Sequence, residues 1–128
     1  MWSSEIKEYM KDEKEFIGCY PFDKLHTIRK RRSFSLVINT GSSDTMGEHW
    51  LAVKVIKQKC FYFDSFGLPI INEEIKNFLK DYGKSYYSRV CIQDIESNKC
   101  GYFCIMFLKS VNDYDDYVNF INQFEWML

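Results

Sequence analysis

The sequence predicts an α+β fold, and three observations predict it. Short β-branched and aromatic runs bounded by polar turns recur through the middle of the chain, as in Phe34-Ser35-Leu36-Val37-Ile38-Asn39. Stretches with apolar residues at helical spacing lie around them. Cys100 to Leu108 is an almost uncharged run of about nine residues, too short to cross a membrane and the right length for a buried helix. Polar loop residues run up to Cys100, so that cysteine stands at a helix start.

Taken in order, Ser3 or Ser4 caps an amphipathic helix carrying Ile6, Tyr9 and Met10, expected to reach about Glu15. Phe16 to Asp23, with Gly18 and Pro21, is read as the break after it. Arg29-Lys30-Arg31-Arg32 is a basic run. Its plain reading is a solvated edge, and the alternative is a docking surface for an acidic segment or nucleic acid. The Phe34–Asn39 strand should alternate Phe34, Leu36 and Ile38 onto one face. A polar loop from Thr40 to Gly47 leads to a strand from His49 to Ile56, a tight connection at Lys57-Gln58-Lys59, and a strand from Cys60 to Asp64. In such a hairpin His49 and Asp64 share the open end. Ser65 to Pro69 is a turn. Asn72 caps a helix with Ile75, Phe78 and Leu79 on its apolar stripe, ending near Gly83. A strand from Tyr86 to Ile92 leads to Gln93. Asn112 or Asp113 precedes a last helix with Tyr117, Val118, Ile121 and Phe124 inward.

With 128 residues, a net charge of -1 and no internal repeat, the chain reads as one domain, residues 1–128. That charge does not advertise nucleic acid or an anionic membrane. An aromatic content of 18% points to a well-filled core. Five cysteines are an odd number, and three fall inside apolar patterns, where a free thiol behaves as a small hydrophobe. A soluble, monomeric protein of a reduced intracellular compartment is expected, with no membrane association and no secretory signal.

The first amides of a helix favour a thiolate, but the helix end contributes only about 0.3 to 2 kcal/mol. Bringing a thiol from roughly pKa 8.5 to 4 takes about 6 kcal/mol, so a cationic partner is required. Of the two histidines, His49 opens a core strand, whereas His26 adjoins the basic run and reads as a surface residue. Cys100 would then attack a carbonyl carbon, His49 would hold the thiolate and protonate the leaving amine, and Asp64 would fix the imidazole tautomer. Gln93 would offer its amide to the oxyanion beside the Cys100 N–H. Each piece alone also has a structural reading: a buried helix-start cysteine, a turn-forming aspartate, a rim histidine. Cys100 and Cys104 have no second pair at ligand spacing, so no metal and no cofactor are expected, and Cys104 reads as core.

Together, in the order His, Asp, Gln, Cys, these residues resemble the adenovirus-type cysteine protease (adenain) family, and more distantly the SUMO-specific proteases of the same clan. The resemblance runs from about Ser4 to Val111 through Gly47-Glu48-His49-Trp50-Leu51-Ala52-Val53, Tyr62-Phe63-Asp64-Ser65-Phe66-Gly67, Ile92-Gln93 and Cys100-Gly101-Tyr102-Phe103-Cys104. It implies a mixed β-sheet flanked by helices, with the nucleophile Cys100 at the N-terminus of a buried central helix and His49 and Asp64 on the sheet. It also implies Gln93 as oxyanion donor and Trp50 as a wall of the substrate cleft.

The activity implied is that of a thiol endopeptidase cutting polypeptides at small, Gly-containing sites to mature viral or virus-derived precursors, in the host nucleus or the virus particle. An isopeptidase acting on ubiquitin-like C-termini, a clan-related acyltransferase and a non-enzymatic interaction module are the alternatives. The chain departs from the adenovirus pattern in carrying Asp64 where a Glu stands, and in stopping soon after Trp126. Cys91 does not match the cysteine that links the family's activating peptide. Activation by DNA through Arg29 to Arg32 stays open.

Overall fold

A computed structural model of the chain describes residues 1–43, 49–92 and 99–125. Its elements are α1 (Ser3–Tyr9), β1 (Phe16–Pro21), a 3-10 helix (Phe22–Thr27), β2 (Ser33–Asn39), β3 (Trp50–Ile56), β4 (Lys59–Phe63), α2 (Glu73–Lys80), β5 (Lys84–Tyr87), α3 (Cys100–Ser110) and α4 (Tyr114–Glu125). The strands form one sheet in the order β1-β2-β3-β4-β5. β2, β3 and β4 are antiparallel neighbours, while the β1–β2 and β4–β5 pairs are parallel, so the sheet is mixed.

Both faces of this sheet are covered. Phe34, Leu36 and Ile38 share one face with Leu51, Val53, Val55, Cys60 and Tyr62, packed against Ile75, Phe78 and Leu79 of α2. On the other face Val37, Ala52, Phe61 and Phe63 meet the inward sides of α1, α3 and α4. The period-two alternation expected of β2 is present, but its intervening residues are buried too, because a second layer of helices lies beyond them.

The β3–β4 connection is a two-residue turn with Lys57 at φ 43° and Gln58 at φ 70°. Paired positive φ values match the twist of the strands they join. The register runs Ala52↔Phe63 to Ile56↔Lys59, which brings the start of β3 and the end of β4 together.

α3 lies along β3. The Cys104 thiol donates to the Trp50 carbonyl (3.3 Å) at one end of the strand. Toward the other, Lys54 Nζ donates to the Leu108 carbonyl (3.0 Å) and to Asn112 Oδ1 (3.1 Å). The ammonium thereby satisfies a carbonyl of the helix's last turn, where cations are favoured. The small side chain of Ala52 leaves room for the helix to approach the strand.

Four expectations change. α1 stops at Tyr9 rather than near Glu15, since Met10 is buried and the Asp12–Glu15 stretch has no apolar residue to extend the helix's inner face. It also starts one residue ahead of the predicted caps, with Trp2 N–H donating to Glu5 Oε1 (3.0 Å). Phe16–Pro21 is a strand rather than a break: as an edge strand it tolerates Pro21 at its end, and the pairing irregularity between Phe16 and Cys19 spans Gly18 at φ 130°. The last strand is Lys84–Tyr87 rather than Tyr86–Ile92, because Gly83 at φ 85° turns the chain directly out of α2 into pairing with β4.

A Cβ on Gly83 would collide with the Gln58 backbone in a φ region that side chains rarely adopt. Gly83→Ala is therefore expected to cost about 1 to 3 kcal/mol. Urea denaturation should show a lower midpoint at unchanged slope, and an unchanged midpoint would mean that the α2–β5 turn is not constrained as described.

Candidate active site

Three chain segments meet at the end of the sheet where β3 begins. The ladder between β2 and β3 continues past the strands proper, with Thr40 N–H donating to the His49 carbonyl (2.9 Å), which fixes the His49 backbone. The imidazole Nε2 lies 2.7 Å from Asp64 Oδ1. Both side chains are well buried, at 13% and 6% exposure, so the pair is screened far less than a surface pair. Asp64 Oδ1 also accepts the Phe66 backbone N–H (2.9 Å), and the Gly67 N–H donates to the Asp64 carbonyl (2.8 Å). The carboxylate is thus held from its own turn as well as by the ring.

The remaining ring nitrogen, Nδ1, is left for Cys100, whose thiol and the imidazole shift each other's titration. Burial pushes that thiol up. The His49 hydrogen bond, the Trp50 amide, the His49 charge and the Gly101 amide outweigh it and hold Cys100 below its ordinary value. Burial likewise pushes His49 down, but its hydrogen bonds to Asp64 and Cys100 and their negative charges raise it to about 9. Opposite shifts in the two groups favour the charged form of each, and the Asp64 carboxylate contributes to the shift of His49. Burial does the reverse at other cysteines: Cys19 is pushed up to about 11, Cys60 to about 12, and Cys104 well above its ordinary value. Cys60 and Cys104 are buried core thiols, as expected of Cys104, and Cys19 is half-buried against the core that holds Cys104.

Sequence reasoning missed Phe66. Its ring stacks on the imidazole at 4.3 Å between centroids and 13° between planes. The signal was available: in the β3–β4 register, three residues back from Ala52 is His49 and three on from Phe63 is Phe66. Met1 was missed as well. Its side chain lies where a Cβ on Gly101 would come within 2.8 Å of Met1 Sδ, so the glycine after Cys100 makes room for that contact.

Trp50, expected beside the cleft, is half-buried. It donates its indole N–H to the Met1 carbonyl (2.9 Å) and lines a cleft of about 400 Å³ with Met1, Asn39 and Ser42. Gln93 lies outside the described residues. The residue before it, Ile92, donates its N–H to the Ser65 carbonyl (2.9 Å), next to the acid. His26 is exposed, as expected. Among the described residues no group of three or more His, Cys, Asp or Glu side chains is placed to hold a metal ion, and no helix is long and apolar enough to cross a membrane.

A thiol at the mouth of a buried helix, beside a strand-borne imidazole that a carboxylate orients, on a mixed sheet between helical layers, is the arrangement that Cys-His-Asp thiol hydrolases use. Comparison with known proteins narrows the class. The family model of the adenovirus endoprotease matches residues 16–124, and the chain belongs to that family. Curated relatives include the protease of snake adenovirus serotype 1, 29% identical over 75% of this chain and 56% of its own length, and that of bovine adenovirus B serotype 3, 30% identical over 73% and 54%. The chain therefore spans about half the length of these relatives. In fold it is similar to the crystal structure of the ASFV pS273R protease, with a TM-score of 0.60, 16% identity, and coverage of 93% of this chain and 59% of that one.

The sign of the coupling gives a pH prediction. Iodoacetamide reacts with the thiolate, so alkylation of Cys100 is expected to set in below the ordinary thiol range. Asp64→Asn removes the group that raises His49, weakens the imidazolium, and should move the alkylation midpoint to higher pH. An unmoved midpoint would show that Asp64 does not govern the pair. The raised His49 adds stability that is complete below pH 6.5 and is lost as pH rises through about 9.

Proposed function

We propose that this chain is a cysteine endopeptidase that cuts polypeptides at small-residue, Gly-containing sites and processes viral or virus-derived precursor proteins. The observation that carries this reading is the buried contact of Cys100, His49 and Asp64, with opposite shifts in the thiol and the imidazole. Family membership supports it.

In the proposed reaction the Cys100 thiolate adds to the scissile carbonyl, whose oxygen gathers charge near the helix-start amides. Gln93 serves as the side-chain donor to that oxyanion. The tetrahedral adduct collapses as the imidazolium of His49 gives its proton to the leaving amine. His49, neutral again, takes a proton from water, which adds to the acyl carbon and releases the second product with Cys100 restored. Asp64 keeps Nε2 engaged, which leaves Nδ1 for the sulfur. Trp50 is proposed as one wall of the cleft over the peptide. A reduced compartment suits a mechanism that needs a free thiolate. The exposed Arg29–Arg32 run is the proposed seat for a polyanionic activator such as DNA.

The test compares wild type with Cys100→Ala on Gly-Gly and Gly-x-Gly fluorogenic peptides and on a ubiquitin-like C-terminal fluorogenic substrate. Turnover of the short peptides by wild type alone is expected; equal behaviour of the two proteins would remove the catalytic reading, and preference for the ubiquitin-like substrate would favour an isopeptidase. Gln93→Ala should lower turnover about 10²-fold while leaving thiol alkylation largely intact. Unchanged turnover would exclude Gln93 from the reaction.

A further inference from the structure

Lys54 is a charged residue where the strand pattern calls for an apolar one. β3 is the middle strand of the sheet, and alternation puts Trp50, Ala52 and Lys54 on the face that α3 covers. Across the ladder Lys54 stands opposite Phe61, which is fully buried on that face. The lysine itself is half-buried, and burial pushes its pKa down. It lines a cleft of about 420 Å³ with Glu13, Glu15 and Asn112. A methionine would fill the same space without the desolvation of an ammonium.

The charge is used at the end of α3. In a continuing helix the Leu108 carbonyl would accept the backbone amide of Asn112, four residues on. That amide donates instead to Asp116 Oδ2 (3.0 Å), at the turn into α4, while the Phe107 carbonyl keeps its bond from the Val111 N–H (3.1 Å). Lys54 Nζ takes the vacated place, donating to the Leu108 carbonyl (3.0 Å) and to Asn112 Oδ1 (3.1 Å). The other tie along this strand, the Cys104 thiol on the Trp50 carbonyl, uses a weak S–H donor. A charged group inside a packed contact is best attested as a device that selects one register.

We propose that Lys54 is a positioning residue for the reacting thiol: by holding the Leu108 carbonyl it fixes the height of α3 on β3, and with it the place of the Cys100 sulfur beside the His49 ring. The tie lies eight residues from Cys100, about 12 Å along the helix axis, so Lys54 acts through the helix and meets neither substrate nor sulfur. Its effect on turnover rests on the peptidase reading above; its effect on the thiol does not. Misplacing reacting groups by about 1 Å can lower a rate on the order of 10²-fold, which is why so remote a tie matters.

The test uses two neutral variants. Lys54→Met keeps the volume of the stem and removes the donor; Lys54→Gln keeps a polar head at this half-buried position on a side chain one bond shorter. Each should lower kcat on the Gly-containing peptides about 10- to 100-fold with KM little changed. Each should also move the pH midpoint of Cys100 alkylation by iodoacetamide upward, toward the ordinary thiol value. Lys54→Arg, which can still donate to the carbonyl, should restore both readouts. Asn112→Ala, which removes the second acceptor and leaves the Leu108 tie, should change neither. Lower thermal stability of the neutral variants with kcat and the alkylation midpoint unmoved would overturn the positioning role and leave Lys54 a structural residue. An effect of equal size from Asn112→Ala would overturn it as well. A midpoint that moves in a protein whose wild type cleaves no peptide would remove the peptidase reading and leave the positioning of the thiol standing.

Discussion

The axial register of α3 on β3 is the constraint from which the site follows. Two contacts set it: the Cys104 thiol on the Trp50 carbonyl, and the Lys54 ammonium on the Leu108 carbonyl. Each joins a helix position to a β3 position, so the helix cannot slide along the strand without breaking both. Cys100 lies one turn before Cys104, as His49 lies one residue before Trp50. A slip of a single helical turn, about 5.4 Å, would carry the sulfur out of hydrogen-bond reach of the ring. Lys54 is itself partly buried, which pushes its pKa down, while Glu13, Glu15 and Asp116 act to raise it. A partly buried ammonium that caps a helix and has carboxylates around it is a directional tie, which apolar contact alone would not provide.

With the register set, the electrostatics of the site become a matter of cover. Burial by itself would neutralise both the thiolate and the imidazolium, as it does the thiols of Cys19 and Cys60. At Cys100 the opposing contributions prevail because they come from three directions: the ring of His49, the amide of Trp50 and the amide of Gly101. Phe66 closes the exposed face of the ring without offering a competing hydrogen bond, and its own amide shares the carboxylate oxygen that the ring uses. One residue thus orients both members of the His49–Asp64 pair, through its side chain and its backbone.

The short carboxylate of Asp64 fits this geometry. A short carboxylate needs the end of β4 to lie close to the start of β3, and the continuous β3–β4 ladder, paired as far as Ala52↔Phe63, keeps them adjacent. The Asp64 turn is held further by the Gly67 and Ile92 amides, which donate to the carbonyls of Asp64 and Ser65.

Much of the fold was legible because its signals are local. The β3–β4 hairpin, the Asn72 cap, the apolar stripe of α2 and the start of α3 at Cys100 all follow from patterns a few residues long. His49 and Asp64 could be paired from hairpin geometry alone. Elements that depend on distant partners were not legible: β1 looks like a loop because Gly18 and Pro21 are tolerated only at the edge of a sheet that other residues build. The stacking of Phe66 could be counted out from the register, but only once the register was known. The sequence by itself determined which residue types stand at element ends, since capping, alternation and turn chemistry are read within a single turn or strand. Only the tertiary structure decided that the sulfur, the ring and the carboxylate touch, because a helix packed across a sheet can slide, and the side chains that stop it are remote in the chain from those they bring together.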